Sequence, residues 1–351
     1  STVEALGAHA SHDPAHAEHV LHLLQNKPWA ALYVAALFFM LISLGVLAFY
    51  AINRAAQAGW SPILFRVMEG ITGYLPIGAL VFFLLLVFSG LHFNHLFIWM
   101  DPAVVAHDTV IQGKTGYLNV PFFLVRTAIY MLGWIAYRQI TRKLSKAQDQ
   151  AHDNRPFIKA FKWSAGFLVF FLVSESMMSW DWVMSVDPHW FSTLFGWYVF
   201  GSLITSAIAA IILVTVTLKA QGYLQQVNDS HLHDLAKYLF GFSIFWTYLW
   251  FSQYLLYWYS NIPEEVTYFV TRLEHYEPIV LSMLAINFLL PLLILVDSDI
   301  KRKPWVVGTM AVVILIGHYL DFFNMIMPAT VGDQWCIGAG EIGSVLFFFG
   351  L

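Results

Sequence analysis

Eight stretches of this chain run for about 20 residues each with almost no charge, the length an α-helix needs to cross a bilayer core. They lie near Trp29–Ile52, Ile71–His95, Leu118–Tyr137, Phe161–Trp182, Trp190–Leu218, Tyr238–Ser260, Pro278–Val296 and Trp305–Met327. A ninth begins near Ile342 and stops at Leu351, and the chain opens on Ser1, so the sequence reads as the ordered part of a longer protein. Buried helices of a soluble protein would need a polar coat. Charged residues are only 11% of the chain, against roughly 25% in soluble domains, while apolar residues make up 59%. A β-barrel would alternate over about ten residues rather than run continuously. The fold expected is therefore an all-α integral membrane protein.

Composition removes several functions. A net charge of -4 with no basic patch excludes a nucleic-acid binder. The single cysteine, Cys336, excludes a disulfide scaffold, four-thiolate iron–sulfur ligation, CxxCH haem attachment and cysteine-rich zinc. Gly338 to Gly343 spell GxGxxG, but no strand precedes them and an apolar helix follows, so they are not a dinucleotide fingerprint. No span carries the paired histidines that a b-type haem needs.

Positive charge sets the orientation. Numbering the connections alternately puts Arg54, Arg66, the basic stretch Arg138–Lys162, Lys219, Lys237 and Lys301–Lys303 on one side. Only Lys27, Lys114 and Arg272 fall on the other. The basic side is expected in the cytoplasm, and the N-terminal tail in the periplasm. That tail carries His9, His12, His16, His19 and His22 at helix-like spacing; a solvated amphipathic segment explains them better than a metal site. Pro28, Pro121, Pro188 and Pro304 sit where helices should open. Asp187, before Pro188, reads as an N-cap, and Glu264 and Glu265 after Pro263 as dipole complements. Pro76 and Pro291 fall inside spans and should kink them.

A charge at the centre of a span costs about 2.5–3.5 kcal/mol on insertion scales, so such residues face a protein interior and mark a ligand site or a pathway. The candidates are His92, His95, Arg126, Glu175, Asp181, His318 and Asp321. All fall in the outer half of the expected topology; the inner half would need waters, Ser, Thr and Tyr to carry a proton further. His92 and His95, like His318 and Asp321, are spaced to share a helical face. Glu175 and Asp181 point apart, so they form no carboxylate dyad. One of them should meet Arg126, which needs a carboxylate near it. Each group could instead be a satisfied interior pair that fixes helix packing.

The stretches His92–Phe97, Met178–Phe191, Asn261–Tyr268 and His318–Asn324 carry a resemblance across nearly the whole chain. The chain resembles the second NrfD-like, polysulfide-reductase-like membrane subunit of bacterial alternative complex III, a quinol:cytochrome c oxidoreductase. The resemblance implies about ten transmembrane helices in two four-helix bundles, with the first helix and part of the last missing here. The implied division is a periplasmic His-rich tail at 1–27, one bundle at 28–186, a second at 187–327 and the start of a final helix at 328–351.

It also implies a site in the bacterial inner membrane and a role in quinol oxidation. The expected partners are an iron–sulfur subunit, multihaem cytochrome c subunits, the paralogous NrfD-like subunit, lipids and a terminal oxidase. Haem and iron–sulfur clusters belong to those partners, and this chain holds no covalent cofactor. The sequence style resembles members from Bacteroidota, which generally use menaquinone. His92, His95 and Asp181 are then the quinone-pocket candidates. Glu175, His318 and Asp321 are the proton-path candidates, and Arg126 is the charge partner. Two other readings stand beside this one. The first is a non-catalytic assembly or proton-relay subunit without a quinone site. The second is a secondary transporter, which should show broken helices and inverted repeats at mid-membrane.

Overall fold

The computed structural model describes residues 14–351, with side chains from residue 23. The tail histidines His9 and His12, and the side chains of His16, His19 and His22, lie outside the described residues. The described chain is helical throughout and has no strand. Its main helices are α1 (Pro14–Ala55), α2 (Pro62–Gly90), α3 (Val120–Gln150), α4 (Arg155–Trp182) and α5 (Phe195–Ala220). They continue with α6 (Asp229–Ser260), α7 (Pro263–His275), α8 (Glu277–Ile294), α9 (Pro304–Val331) and α10 (Ala339–Gly350).

Seven of these helices are long and apolar enough to cross a membrane: α1 to α5, α8 and α9. The chain is thus a multi-pass membrane protein. The sixth candidate span does form a helix, α6, of 32 residues. Its Tyr, Trp, Ser and Gln side chains hold its hydropathy below that of the other seven. Apolar residues on the outer faces, such as Leu80, Leu132, Val169 and Leu293, are more than half exposed, as lipid-facing positions should be.

Helix α1 packs against α2 and α4, and α3 lies against α4 and α2. Helices α5, α6, α8 and α9 form a second group, and α10 lies along α1. The groups share one apolar core, because α1 is itself packed on α5 and α9. That crossing is close. A Cβ on Gly45 would stand 2.6 Å from the carbonyl oxygen of Leu203, so only glycine lets the backbones approach so nearly.

Prolines shape three helices. Pro76 does not bend a continuous span; a 3-10 turn at Thr72–Tyr74 interrupts α2 just before it. Pro291 has no N–H for the carbonyl of Asn287, four residues back. The chain there widens into a π turn, Ala285–Leu289. Pro328 likewise frees the carbonyl of Asn324 in α9.

Three helix ends differ from the sequence expectation. Pro28 does not open α1 but lies inside it, since the helix already runs from Pro14. Helix α2 stops at Gly90 in a Schellman turn: the N–H of Phe93 donates to Phe88 O and that of His92 to Ser89 O, both at 3.0 Å, with His92 at φ +61°. His92 and His95 therefore do not share a helical face. Helix α5 starts at Phe195, so Asp187 and Pro188 lie in a turn rather than at its N-cap.

Candidate functional site

Two buried carboxylates organise the end of the molecule opposite the 138–162 connection. The first is Asp181 in α4, whose side chain is fully buried. Arg126 of α3 grips it with both arms: Nε donates to Oδ2 at 3.0 Å and an Nη to Oδ1 at 2.8 Å. Bidentate guanidinium–carboxylate pairs are among the strong hydrogen-bonded contacts. Tyr130 OH adds a third donor at 3.2 Å. The other Nη of Arg126 donates to Tyr117 O at 2.9 Å, and the guanidinium lies over the Tyr117 and Phe122 rings at 3.8 and 4.3 Å. Next to this pair the bundle is stapled by indoles. Trp182 Nε1 donates to Thr127 Oγ1 at 3.0 Å, and Trp134 Nε1 to Ser174 Oγ at 2.9 Å.

A cleft of about 360 Å³ adjoins this pair, lined in part by Lys114, Tyr117, Trp180, Ser185, Trp190 and Phe191. Asp181 does not open into it. The connection runs through Tyr117, under the arginine, and through Ser185, whose hydroxyl donates to the Asp181 carbonyl at 2.5 Å.

The second carboxylate is Asp321 in α9, also fully buried. Its donors are neutral. Tyr198 OH and Ser202 Oγ of α5 donate to Oδ1 and Oδ2, and Trp246 Nε1 of α6 donates to Oδ2 at 2.8 Å. His318, one turn earlier, places Nδ1 3.7 Å from Oδ2 and 3.3 Å from Ser202 Oγ. Among the described residues no lysine or arginine pairs with Asp321. The spacing of three residues that put His318 and Asp321 on one face does bring them together.

Arg272, near the end of α7, is buried without a carboxylate among the described residues. It is held by carbonyls instead: Nε donates to Asn324 O at 3.0 Å, and its Nη groups donate to Tyr268 O at 2.8 Å and Met325 O at 3.1 Å. The Asn324 carbonyl is the one Pro328 leaves free, so this arginine closes the proline kink. Below it lies the Tyr268 ring at 3.3 Å, which stacks on Trp190 at 3.9 Å.

The remaining sequence candidates stand apart. Glu175 is buried on another face of α4; its Oε1 has no hydrogen-bond partner among the described residues, and it joins neither centre. His92 and His95 are exposed beyond the end of α2. The backbone at His95 is fixed by Asn26, which donates to its carbonyl and accepts from its N–H, both at 3.1 Å.

Sequence reasoning missed the neutral cage of Asp321, because Tyr198, Ser202 and Trp246 are uncharged. It also missed a cluster at the opposite end. There Glu69, buried, accepts from Arg66 at 2.9 Å and from Tyr50 OH at 3.2 Å. Arg54 Nε donates to Tyr50 OH at 3.1 Å, and Arg66 also pairs with Asp149. Glu69 sits just before the apolar run starting at Ile71, so a search confined to the spans passes over it.

A comparison with models of known protein families finds no match. A comparison with curated protein sequences also finds none.

Proposed function

We propose that this chain is an integral membrane subunit of a respiratory quinol:cytochrome c oxidoreductase of the alternative complex III type. The resemblance of its four motif stretches supports that reading. In it, the aromatic cleft beside Tyr117 and Trp190 takes the quinol ring. The size and apolar lining suit such a ligand. The proton-handling group is Asp321, and menaquinone is the expected quinone.

The observation that carries the reading is the difference in charge compensation. Asp181 is neutralised by a bidentate arginine and serves as a fixed charge pair that shapes the cleft. Asp321, beside an imidazole and three neutral donors, is placed to exchange a proton as quinol oxidation releases two. Glu175 is a further proton carrier in this scheme. Haem and iron–sulfur clusters reside on partner subunits.

The test uses the intact complex purified from membranes. Mass spectrometry should find multihaem cytochrome c and iron–sulfur subunits co-purifying with this chain. Asp321→Asn should then lower quinol-dependent cytochrome c reduction at least tenfold while assembly is kept. Purification without redox partners would sink the assignment; full turnover in the variant would remove Asp321 from the proton path.

A second reading, a proton-relay and assembly subunit without a quinone site, is favoured by one observation: Asp181 is sealed by Arg126 and Tyr130 away from the cleft. Under that reading a quinone-site inhibitor protects no residue around Trp190 from chemical labelling.

A further inference from the structure

In the second helical group, three residues near the Asp321 centre carry unpaired buried polar atoms. Asn287 is fully buried, and neither its Oδ1 nor its Nδ2 has a hydrogen-bond partner among the described residues. Nor do Nε2 of His318 or Oγ of Ser243, both buried. These three residues come from α8, α9 and α6. Buried polar atoms in native proteins are almost always paired, and each unpaired one calls for an account.

The place is built rather than incidental. Pro291 and the π turn Ala285–Leu289 set Asn287 out of the regular α-helical register, and π turns recur at functional positions. The opposite helix makes room for it: a Cβ on Gly317 would stand only 2.0 Å from Asn287 Oδ1. The amide thus lies against the residue next to His318. The His318 ring packs edge-on to Trp246 at 5.4 Å, and Ser243 is one turn from Trp246 on the same helical face. His318 and Ser243 both lie about 21 Å along their helices from Pro304 and Asp229, the ends on the basic side.

The atoms left unpaired are an amide donor, an amide acceptor, an imidazole nitrogen and a hydroxyl. A ligand that satisfies them must both donate and accept, and it must be small. A metal cation meets only the acceptors, and an anion only the donors. Water, with two of each, satisfies the set.

We infer that Asn287, His318 and Ser243 hold internal water between α6, α8 and α9, directly beneath the Asp321 centre. The next unpaired hydroxyl toward the basic side is Thr215 Oγ1, about 8 Å along α5 from Ala220. The water therefore extends the polar interior from the Asp321 centre toward the basic side. Its use as a proton supply to Asp321 rests on the function proposed above; its presence does not.

Hydroxyl-radical footprinting by X-ray pulses on the intact membrane complex tests this, because bound water generates radical where it sits. Trp246, Trp134 and Trp182 are equally and fully buried. Trp134 and Trp182, which lie on α3 and α4 and donate to Ser174 and Thr127, serve as internal references. Trp246 and His318 should be oxidised at least threefold faster than bulk-shielded positions, with Trp246 exceeding both reference indoles by that factor. Asn287→Leu should bring Trp246 down to the reference level. Should that variant not assemble, Ser243→Ala should lower the rate in the same direction. Equal labelling of the three indoles in the native complex overturns the inference, as does a Trp246 rate unmoved by either assembled variant. If the labelling appears while Asp321→Asn retains full turnover, the water site stands and its use as a proton supply to Asp321 falls.

Discussion

The two buried aspartates lie at the same end of the molecule and are equally sealed from solvent, yet they are solved by opposite means. Asp181 receives a full countercharge from Arg126, delivered in two parallel hydrogen bonds. Asp321 receives dipoles only, from Tyr198, Ser202 and Trp246, with His318 at one side. An ion pair of this kind resists change, because protonating the acid strands the arginine. A cage of neutral donors has no such penalty built in. Burial alone therefore does not mark a working carboxylate; the identity of what surrounds it does.

The comparison breaks most sharply at Arg126. Replacing one partner of a buried ion pair leaves the other charge uncompensated, at a cost of about 3–5 kcal/mol. Arg126→Leu should lower the thermal midpoint of the solubilised complex by an amount of that order. The double variant Arg126→Leu with Asp181→Leu should recover most of the loss, since apolar replacement of a whole buried pair is often near neutral. If Arg126→Leu alone melts like the native protein, the pair is no structural clamp and the contrast with Asp321 collapses.

A smaller effect is expected on the Asp321 side, where packing and hydrogen bonds take the place of charge. Gly317→Ala drives a methyl group into Asn287 and should cost about 1–3 kcal/mol, the usual range for overpacking. Gly241 in α6 has nothing within 4 Å of a new Cβ, so Gly241→Ala should be neutral or stabilise by up to about 1 kcal/mol. Denaturation of the two variants side by side checks the sign. Trp246→Phe removes a hydrogen bond to a carboxylate and should cost about 1.5–3 kcal/mol, against about 0.5–1.5 kcal/mol for Trp134→Phe, which loses a bond to a serine. Equal losses would indicate that Asp321 is uncharged when it meets the indole.

The helices were legible because lipid imposes one rule, about 20 apolar residues at a time, and every candidate span but the sixth obeys it. Arg126 with Asp181 was half legible: an intramembrane arginine demands an acid, but the sequence offered two, and only the fold chooses Asp181 over Glu175. The pairing of His318 with Asp321 followed from spacing alone. What spacing could not supply was the end of a helix. His92 and His95 keep the right interval, but the helix ends at Gly90 and His92 itself is left-handed, which breaks the periodicity that the interval presumes. Nor could a search for charge find Tyr198, Ser202 and Trp246, whose role depends on helices distant in sequence. The π turn was hidden for a related reason. Pro291 signals a kink, but whether the freed carbonyl tilts, bends or widens the helix is decided by Gly317 across the interface.

The weakest of these contacts lies outside the spans and sharpens the comparison from the solvent side. Asp108 caps the short helix Thr109–Gln112 and meets His189 at 2.5 Å. The hydrogen bond from His189, followed by the Ile111 amide, holds its carboxyl below the usual carboxylate range. A depressed folded value means that the contact stabilises fully above the unfolded value and is lost as pH falls through the folded one. Hydrogen exchange at the Val110 and Ile111 amides, both donors to Asp108, should therefore stay slow from neutrality down to about pH 4 and quicken only below it. Asp108→Asn should remove that acid step while leaving the neutral-pH rates within a few-fold. Here charge, neutral donors and solvent act on one partly exposed acid, and the effect should be the smallest of the set because solvent screens it.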